Sequence, residues 1–459
     1  MKKEEYEELI KIGINNGADF VEIYDENSYS KNYIFNDSKL DSINSNNIKG
    51  IGIRIIKNSN VYYSSTNNKK FENVKNLIDK LTSSFSTNKE QIKSFKLDNM
   101  IEKKQKVKVS HDSISVEEKK NILSNLDKII RNYSELIQQV TLGFIENDKS
   151  FIIANSNGKY IKSNKIITRF LTNIYVEKNE NKENEFADYA TGTGYEFLEN
   201  VDLNKKVLDC CKSAIKKLDA VNIKGGEMPV IIAKGFGAVI FHEACGHGLE
   251  ATSVTPKISV FKNDLGKKIA TDKVTLIDDG TIENGWGSNI IDDEGNNTKK
   301  NILIERGILK KFLVDEINAK KLSQKANGCC RRQNYTYAPT SRMSNTYLLP
   351  GKDTIEDMIK SIEYGVYCER MSGGSVNPAT GEFNFAVETA SLIEKGKVTK
   401  KIKGITLIGT SKEVLKNVEM ISDDLELAGG YCGSESGMIP VTIGQPTIKI
   451  SKILVGGME

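Results

Sequence analysis

Nothing in the 459 residues approaches the ~18 consecutive apolar side chains that a membrane-crossing helix needs, and the lysines of Met1-Lys2-Lys3-Glu4-Glu5-Tyr6 are not followed by the apolar segment of a secretory leader. A cytoplasmic protein without membrane contact is the expectation. A surplus of one charge sign is also missing. The 65 basic and 61 acidic side chains leave a net charge of +4, which gives no ground for expecting direct nucleic-acid binding. The seven cysteines (Cys210, Cys211, Cys245, Cys329, Cys330, Cys368 and Cys432) contain no C-x-x-C pair and are odd in number, so reduced thiols are expected rather than a disulfide framework. With 38% hydrophobic and 27% charged residues the composition is that of a soluble globular protein, and the length is too great for one core.

Histidine is scarce as well, with three in the chain, and two of them lie five apart in Phe241-His242-Glu243-Ala244-Cys245-Gly246-His247-Gly248-Leu249-Glu250. Neutral imidazole is the commonest metal ligand. Two imidazoles with an adjacent carboxylate that is not needed as a ligand are the donor pattern of a hydrolytic zinc site, where the metal acidifies water and the carboxylate takes the proton. The spacing is unusual. Histidines at i and i+4 lie about 40° apart around an α-helix, whereas i and i+5 diverge by about 140° unless the turn widens or ends between them. Gly246 and Gly248 flank His247, and glycine tolerates the backbone angles of a π-type turn or a helix end. His247 is therefore expected at a bulge or a helix terminus.

Apolar spacing predicts a helix over residues 5–14, a strand at 20–24, a strand pair over 50–65 and a helix over 71–84. The lysine- and asparagine-rich stretch 87–110 reads as an exposed connection. A helix over 116–132 is then expected, followed by strands at 139–146, 150–155 and 166–177 and a helix at 203–218. From Met228 the pattern changes to a buried strand, Pro229-Val230-Ile231-Ile232-Ala233, leading into the histidine segment. The later strands include 302–305, 383–387 and 404–409, interrupted by one helix at about 354–364. These readings place a boundary near residue 222. Residues 1–222 form an N-terminal domain of helices and antiparallel strands, and residues 223–459 a strand-rich C-terminal domain carrying the metal-binding helix, in α+β architecture.

A catalytic zinc usually has three protein ligands and an open position. Cys245 lies between the histidines, but three ligands within six residues crowd one side of the metal. Glu250 could reach the metal or could instead accept an imidazole N–H. Cys432 sits in Gly429-Gly430-Tyr431-Cys432-Gly433-Ser434, read as a turn that could present a thiolate, although a buried cysteine is often mere packing.

The run His242-Glu243-Ala244-Cys245-Gly246-His247 resembles the His-Glu-x-x-x-His motif of the TldD branch of the TldD/PmbA metalloprotease family, whose members are also called modulators of DNA gyrase. Further blocks are similar to that family in the same order: Arg331-Arg332 with Pro339 and Arg342-Met343; Gly396-Lys397-Val398 through Gly409; and Cys432-Gly433 with Pro440-Val441, Gly444-Gln445-Pro446-Thr447 and Val455-Gly456-Gly457. The resemblance spans most of residues 226–457. It implies Zn2+ held by His242, His247 and Cys432, with Glu243 as general base. It also implies unfolded or extended peptides as substrates, and a dimer, formed either by two copies or with a metal-free TldE/PmbA-type paralogue. Cys245 departs from the pattern, since a thiol so close could compete for the metal.

Arg331, Arg332 and Tyr335 are candidate substrate-binding donors for the oxyanion of peptide hydrolysis. Two other readings stand beside the peptidase. One is a noncatalytic regulatory protein of the gyrase-modulator type, whose zinc is structural and needs a fourth protein ligand. The other is a small-molecule amidase or aminopeptidase using the same zinc.

Overall fold

The computed structural model describes residues 1–86 and 91–457. Seven strands build the N-terminal sheet: β1 (Phe20–Asn36), β2 (Lys39–Lys57), β3 (Asn60–Thr66), β4 (Ile101–Lys103), β5 (Ile137–Asn155), β6 (Tyr160–Lys178) and β7 (Asn181–Thr191). Their order is β3-β2-β1-β5-β6-β4, with β7 pairing β6. Helices α1 (Lys3–Asn15) and α2 (Phe71–Thr82) bury Tyr6, Leu9, Val74 and Ile78 against Val21, Ile23, Ile51 and Ile53. Helices α3 (Val116–Arg131) and α4 (Leu203–Lys217) cover a second cluster around Leu142, Phe144, Phe170 and Ile174. Each helix lays an apolar stripe on the apolar side chains of the strands, which is why helical and alternating periodicities succeed one another in the sequence.

Several features of this half differ from the sequence reading, beginning with β1, which runs on past the expected 20–24 to Asn36, and β2, which starts at Lys39 rather than near 50. The strands expected at 139–146 and 150–155 are one, β5, in which Asn147, Asp148 and Lys149 pair without interruption with Ser30, Tyr29 and Ser28 on β1 and with Ile167, Ile166 and Lys165 on β6. The turn chemistry of Asn-Asp-Lys is overridden because both neighbouring strands offer ladder partners along the whole length. The polar strand β7 has no apolar alternation at its start and went unforeseen. Within the connection expected over 87–110, residues 87–90 lie outside the described residues; beyond them Leu97 is buried and β4 adds to β6.

The C-terminal half is built from β8 (Gly226–Ile232), β9 (Leu276–Asp279), β10 (Lys300–Glu305), β11 (Ile308–Leu309), β12 (Cys330–Arg331), β13 (Thr340–Ser341), β14 (Asn345–Leu348), β15 (Tyr364–Val376), β16 (Glu382–Glu394), β17 (Lys397–Ile402), β18 (Ile405–Thr410), β19 (Val418–Ile421), β20 (Glu426–Ser434), β21 (Gly437–Gln445) and β22 (Ile448–Gly456). Two sheets dominate it, ordered β11-β10-β9-β14-β21-β20 and β15-β8-β22-β18-β16-β17, and one large apolar cluster joins them. Pairing is mixed, since β14 runs parallel to β21 and β8 parallel to β15. Besides the helix at Ile355–Lys360, short helices occur at Glu316–Leu322 and Ser411–Asn417, where the sequence reading had a single helix. The chain is α+β.

A buried ion network ties the two halves together. Arg54 of β2 donates to Glu22 Oε2 of β1 at 2.8 Å and to Glu294 Oε1 of the C-terminal half at 2.7 Å, while Arg332 donates to Glu22 Oε1 at 2.8 Å. Burial pushes the Glu22 carboxyl up, and the two guanidinium groups outweigh it and hold it low. Replacing Arg54 by methionine leaves Glu294 without its guanidinium and Glu22 with Arg332 alone. We expect a loss of about 3–5 kcal/mol of stability, read as a lower urea midpoint. An unchanged midpoint would show the network to be energetically idle.

Candidate metal centre

The geometry starts at β8. A 3-10 turn (Gly235–Ala238) and one α-helical turn (Val239–Phe241) carry the chain from this buried strand into a π-helical turn, His242–Gly246, followed by a 3-10 turn, His247–Leu249. The His247 amide donates to the His242 carbonyl, an i→i+5 bond that brings residues five apart to the same side. The two rings stand 5.2 Å apart between centroids and nearly perpendicular, at 83°. The widened turn expected from the spacing is present. The role expected for its glycines differs, however. Gly246 has ordinary right-handed helical angles, φ −55° and ψ −53°, and Gly248 is not among the positive-φ residues. Close approach is what excludes a side chain: a Cβ on Gly246 would overlap Met343 Sδ, and one on Gly248 would come within 2.8 Å of Phe261.

Gly246→Ala is therefore expected to lower stability by about 1–3 kcal/mol through overpacking, without backbone strain. Adding Met343→Ala should recover part of that loss in a double-mutant cycle followed by urea unfolding. Additive losses would mean that Met343 is not the obstacle.

The third member arrives from far along the chain. Cys432 was expected in a turn; it lies within strand β20, opposite Ile439 of β21. Its Sγ is 3.3 Å from His247 Nε2, and donor atoms of His242, His247 and Cys432 all lie within 4.8 Å of one another. All three residues are buried. Among the described residues neither ring nitrogen of His242 has a hydrogen-bond partner, although burial of an unsatisfied polar atom costs about 1–3 kcal/mol. Burial alone would raise the Cys432 thiol, but the two imidazoles outweigh it and pull it down to about 3. Burial likewise disfavours the His247 imidazolium, yet Glu250 and Cys432 raise it well above its ordinary value. Both shifts favour a thiolate beside an imidazolium.

The donor set fits zinc. Tetrahedral Zn–N and Zn–S bonds set ligand atoms roughly 3.3–3.8 Å apart, and the Cys432–His247 separation of 3.3 Å is in that range. Two nitrogens and one sulfur suit this borderline-soft ion and leave a coordination position open. Glu250, buried, accepts from His247 Nδ1 at 3.1 Å and from the Met343 amide at 3.2 Å. This bond keeps the proton on Nδ1 and leaves Nε2 toward the sulfur. Glu243 stands beside the group, its Oε2 3.6 Å from His247 Nε2 and its side chain 21% exposed. Cys245 is buried in the apolar core and outside the donor group, and burial raises its thiol.

Arg342 fixes the hairpin and had no role assigned from sequence. Its guanidinium donates to the Cys432 carbonyl at 2.7 Å, to Ser436 Oγ at 2.9 Å and to the Gly437 carbonyl at 3.0 Å. Only its place in the Arg342-Met343 block marked it, since its partners lie about 90 residues away. The candidate substrate donors are engaged within the protein. Arg331 donates to the carbonyls of Met343 and Pro440, both at 2.6 Å. Arg332 donates to Glu22, and the Tyr335 amide donates to Glu26. Among the described residues none of the three bonds to His242, Glu243, His247 or Cys432.

Residues 225–457 match the PmbA/TldA metallopeptidase C-terminal domain, residues 110–219 its central domain and residues 21–84 its domain 1. The chain belongs to the PmbA/TldD metallopeptidase family. It is 32% identical over 448 residues to a metalloprotease TldD homolog of Buchnera aphidicola, covering 96% of this chain and 93% of the relative. A zinc metalloprotease TldD homolog of Saccharolobus solfataricus is 32% identical over 269 residues, 58% of this chain and 60% of the relative. Among solved structures, TldE from Thermococcus kodakarensis shares the fold with a TM-score of 0.78 at 21% identity, covering 98% of this chain and 99% of that one.

Proposed function

We propose that this chain is a zinc-dependent peptidase that cleaves unfolded or extended peptides, with Zn2+ held by His242, His247 and Cys432 and with Glu243 as general base. The observation that carries the reading is the convergence of those three donors, with both ring nitrogens of His242 unpaired among the described residues, next to the partly exposed Glu243 side chain. When bound, zinc supplies Lewis acidity, acidifying water and polarising a carbonyl. Glu243 then takes the proton of the attacking water on a carboxylate oxygen and returns it to the leaving nitrogen. Glu250 holds the His247 ring in register, and Arg342 holds the Cys432 main chain. The names of the relatives support a peptidase, and one names zinc.

A purely structural zinc would call for a fourth protein ligand. The donor group among the described residues has three members, and Glu250 is already engaged with His247 and Met343. This favours the catalytic reading. For the assembly we propose a dimer, formed with a second copy or with a metal-free TldE/PmbA-type chain. The test is metal analysis combined with digestion of unfolded peptides, by the chain alone and mixed with such a paralogue. One zinc per chain is expected, with cleavage abolished by chelation and restored by Zn2+. Full zinc occupancy without cleavage in either mixture would overturn the proposal.

A further inference from the structure

Between the N-terminal sheet and the β20–β21 hairpin lies a cavity of about 320 Å3, lined among others by Lys149, Lys165, Asp293, Arg331 and Tyr431. It adjoins a crevice of about 500 Å3 beside the Gly280–Gly285 loop, and Lys165 and Asn289 line both. Lys149 of β5 and Lys165 of β6 are direct cross-strand partners, an arrangement of like charges that costs stability unless something neutralises it. Lys149 has company: its Nζ donates to the Gln333 carbonyl at 2.7 Å and lies 3.7 Å from Glu26 Oε1. Lys165 Nζ is buried with no hydrogen-bond partner among the described residues.

The other charges lining the cavity are accounted for in pairs. Glu146 pairs with Lys119 at 2.6 Å and Arg332 with Glu22 at 2.8 Å. Arg331 spends its donors on two carbonyl oxygens and forms no ion pair among the described residues, although Asp293 and Asp278 act on it electrostatically. Lys165 is thus the lining cation left without a hydrogen-bond or carboxylate partner among the described residues.

We propose that this cavity is a binding site for a carboxylate group, received by Lys165 Nζ with Arg331 beside it, separate from the metal donors. A buried, unpaired ammonium is among the costliest groups a fold can keep, and a charge-assisted hydrogen bond to a carboxylate removes that cost. In agreement, burial foremost, and then Arg331 and Lys149, push the Lys165 ammonium well below its ordinary value in the unliganded protein. The carboxylate has two possible sources, a free C-terminus and an acidic side chain. The cavity lies at the hairpin that supplies Cys432, but the inference does not depend on the zinc reading.

The test is calorimetric titration of the full chain in the Glu243→Gln background, which removes turnover. The probes are N-acetylglycine, N-acetylglycinamide, a C-terminally amidated peptide with an internal glutamate, and inorganic phosphate. Binding of N-acetylglycine without binding of its amide is expected, and Lys165→Met should weaken it by about 10- to 100-fold. If the amidated glutamate peptide binds more tightly, the source is a side chain and the site stands. Equal binding of acid and amide, binding of phosphate alone, no carboxylate binding, or an unchanged affinity in Lys165→Met overturns the proposal. The variant also reports on its own folding, since deleting a buried amine that lacks a hydrogen-bond partner among the described residues should raise the Tm of the unliganded protein.

Discussion

Glu243→Gln keeps its zinc and loses about 10^2- to 10^4-fold in turnover of unfolded peptides. The glutamine amide is nearly the same size as the carboxylate and cannot accept a proton at neutral pH. Glu243 is not one of the three grouped donors, and its side chain is 21% exposed, so the exchange leaves the buried architecture alone. Metal content and thermal unfolding should therefore match the wild type while kcat falls and KM changes little. Wild-type turnover in this variant would remove Glu243 from the reaction, and lost zinc would make it a ligand instead.

Cys432→Ser removes the sulfur and with it most of the zinc. Apparent binding free energies for structural zinc run to about 10–16 kcal/mol over four ligands, so losing one of three and replacing a thiolate by a neutral hydroxyl leaves an ion that dialysis strips. Peptide cleavage should fall with zinc content. Cys245→Ser is the control, because that thiol lies in the apolar core away from the donor group; it is expected to keep full zinc at a modest cost in stability. The reverse pattern, zinc lost with Cys245 and kept with Cys432, would reassign the third ligand. In metal-free wild-type protein, thiolate absorbance is expected at pH 5, because Cys432 is held at about 3 while burial raises the other six thiols. The signal should vanish in Cys432→Ser.

Much of this centre could be read from the sequence because its chemistry is local. The five-residue interval between His242 and His247 calls for a turn that widens or ends between them, and the i→i+5 bond shows that it widens. What depended on distant packing was not readable. The glycines were read as backbone hinges, yet the space for a side chain at Gly246 is taken by Met343, nearly a hundred residues on, and no local signal encodes that approach. Likewise Asn147-Asp148-Lys149 looks like a turn until β1 and β6 are placed on either side of it. The sequence placed Arg331, Arg332 and Tyr335 in a functional block; the structure shows Arg332 and the Tyr335 amide joined to the N-terminal sheet through Glu22 and Glu26.

His247 and Cys432 touch across 185 positions, and the sulfur comes from an outermost strand within thirty residues of the end of the sequence. A ribosome that has already released both imidazoles has still to make the thiol. If the three donors hold zinc as proposed, a polypeptide halted or clipped before that strand lacks the sulfur ligand and is expected to retain the ion as poorly as Cys432→Ser.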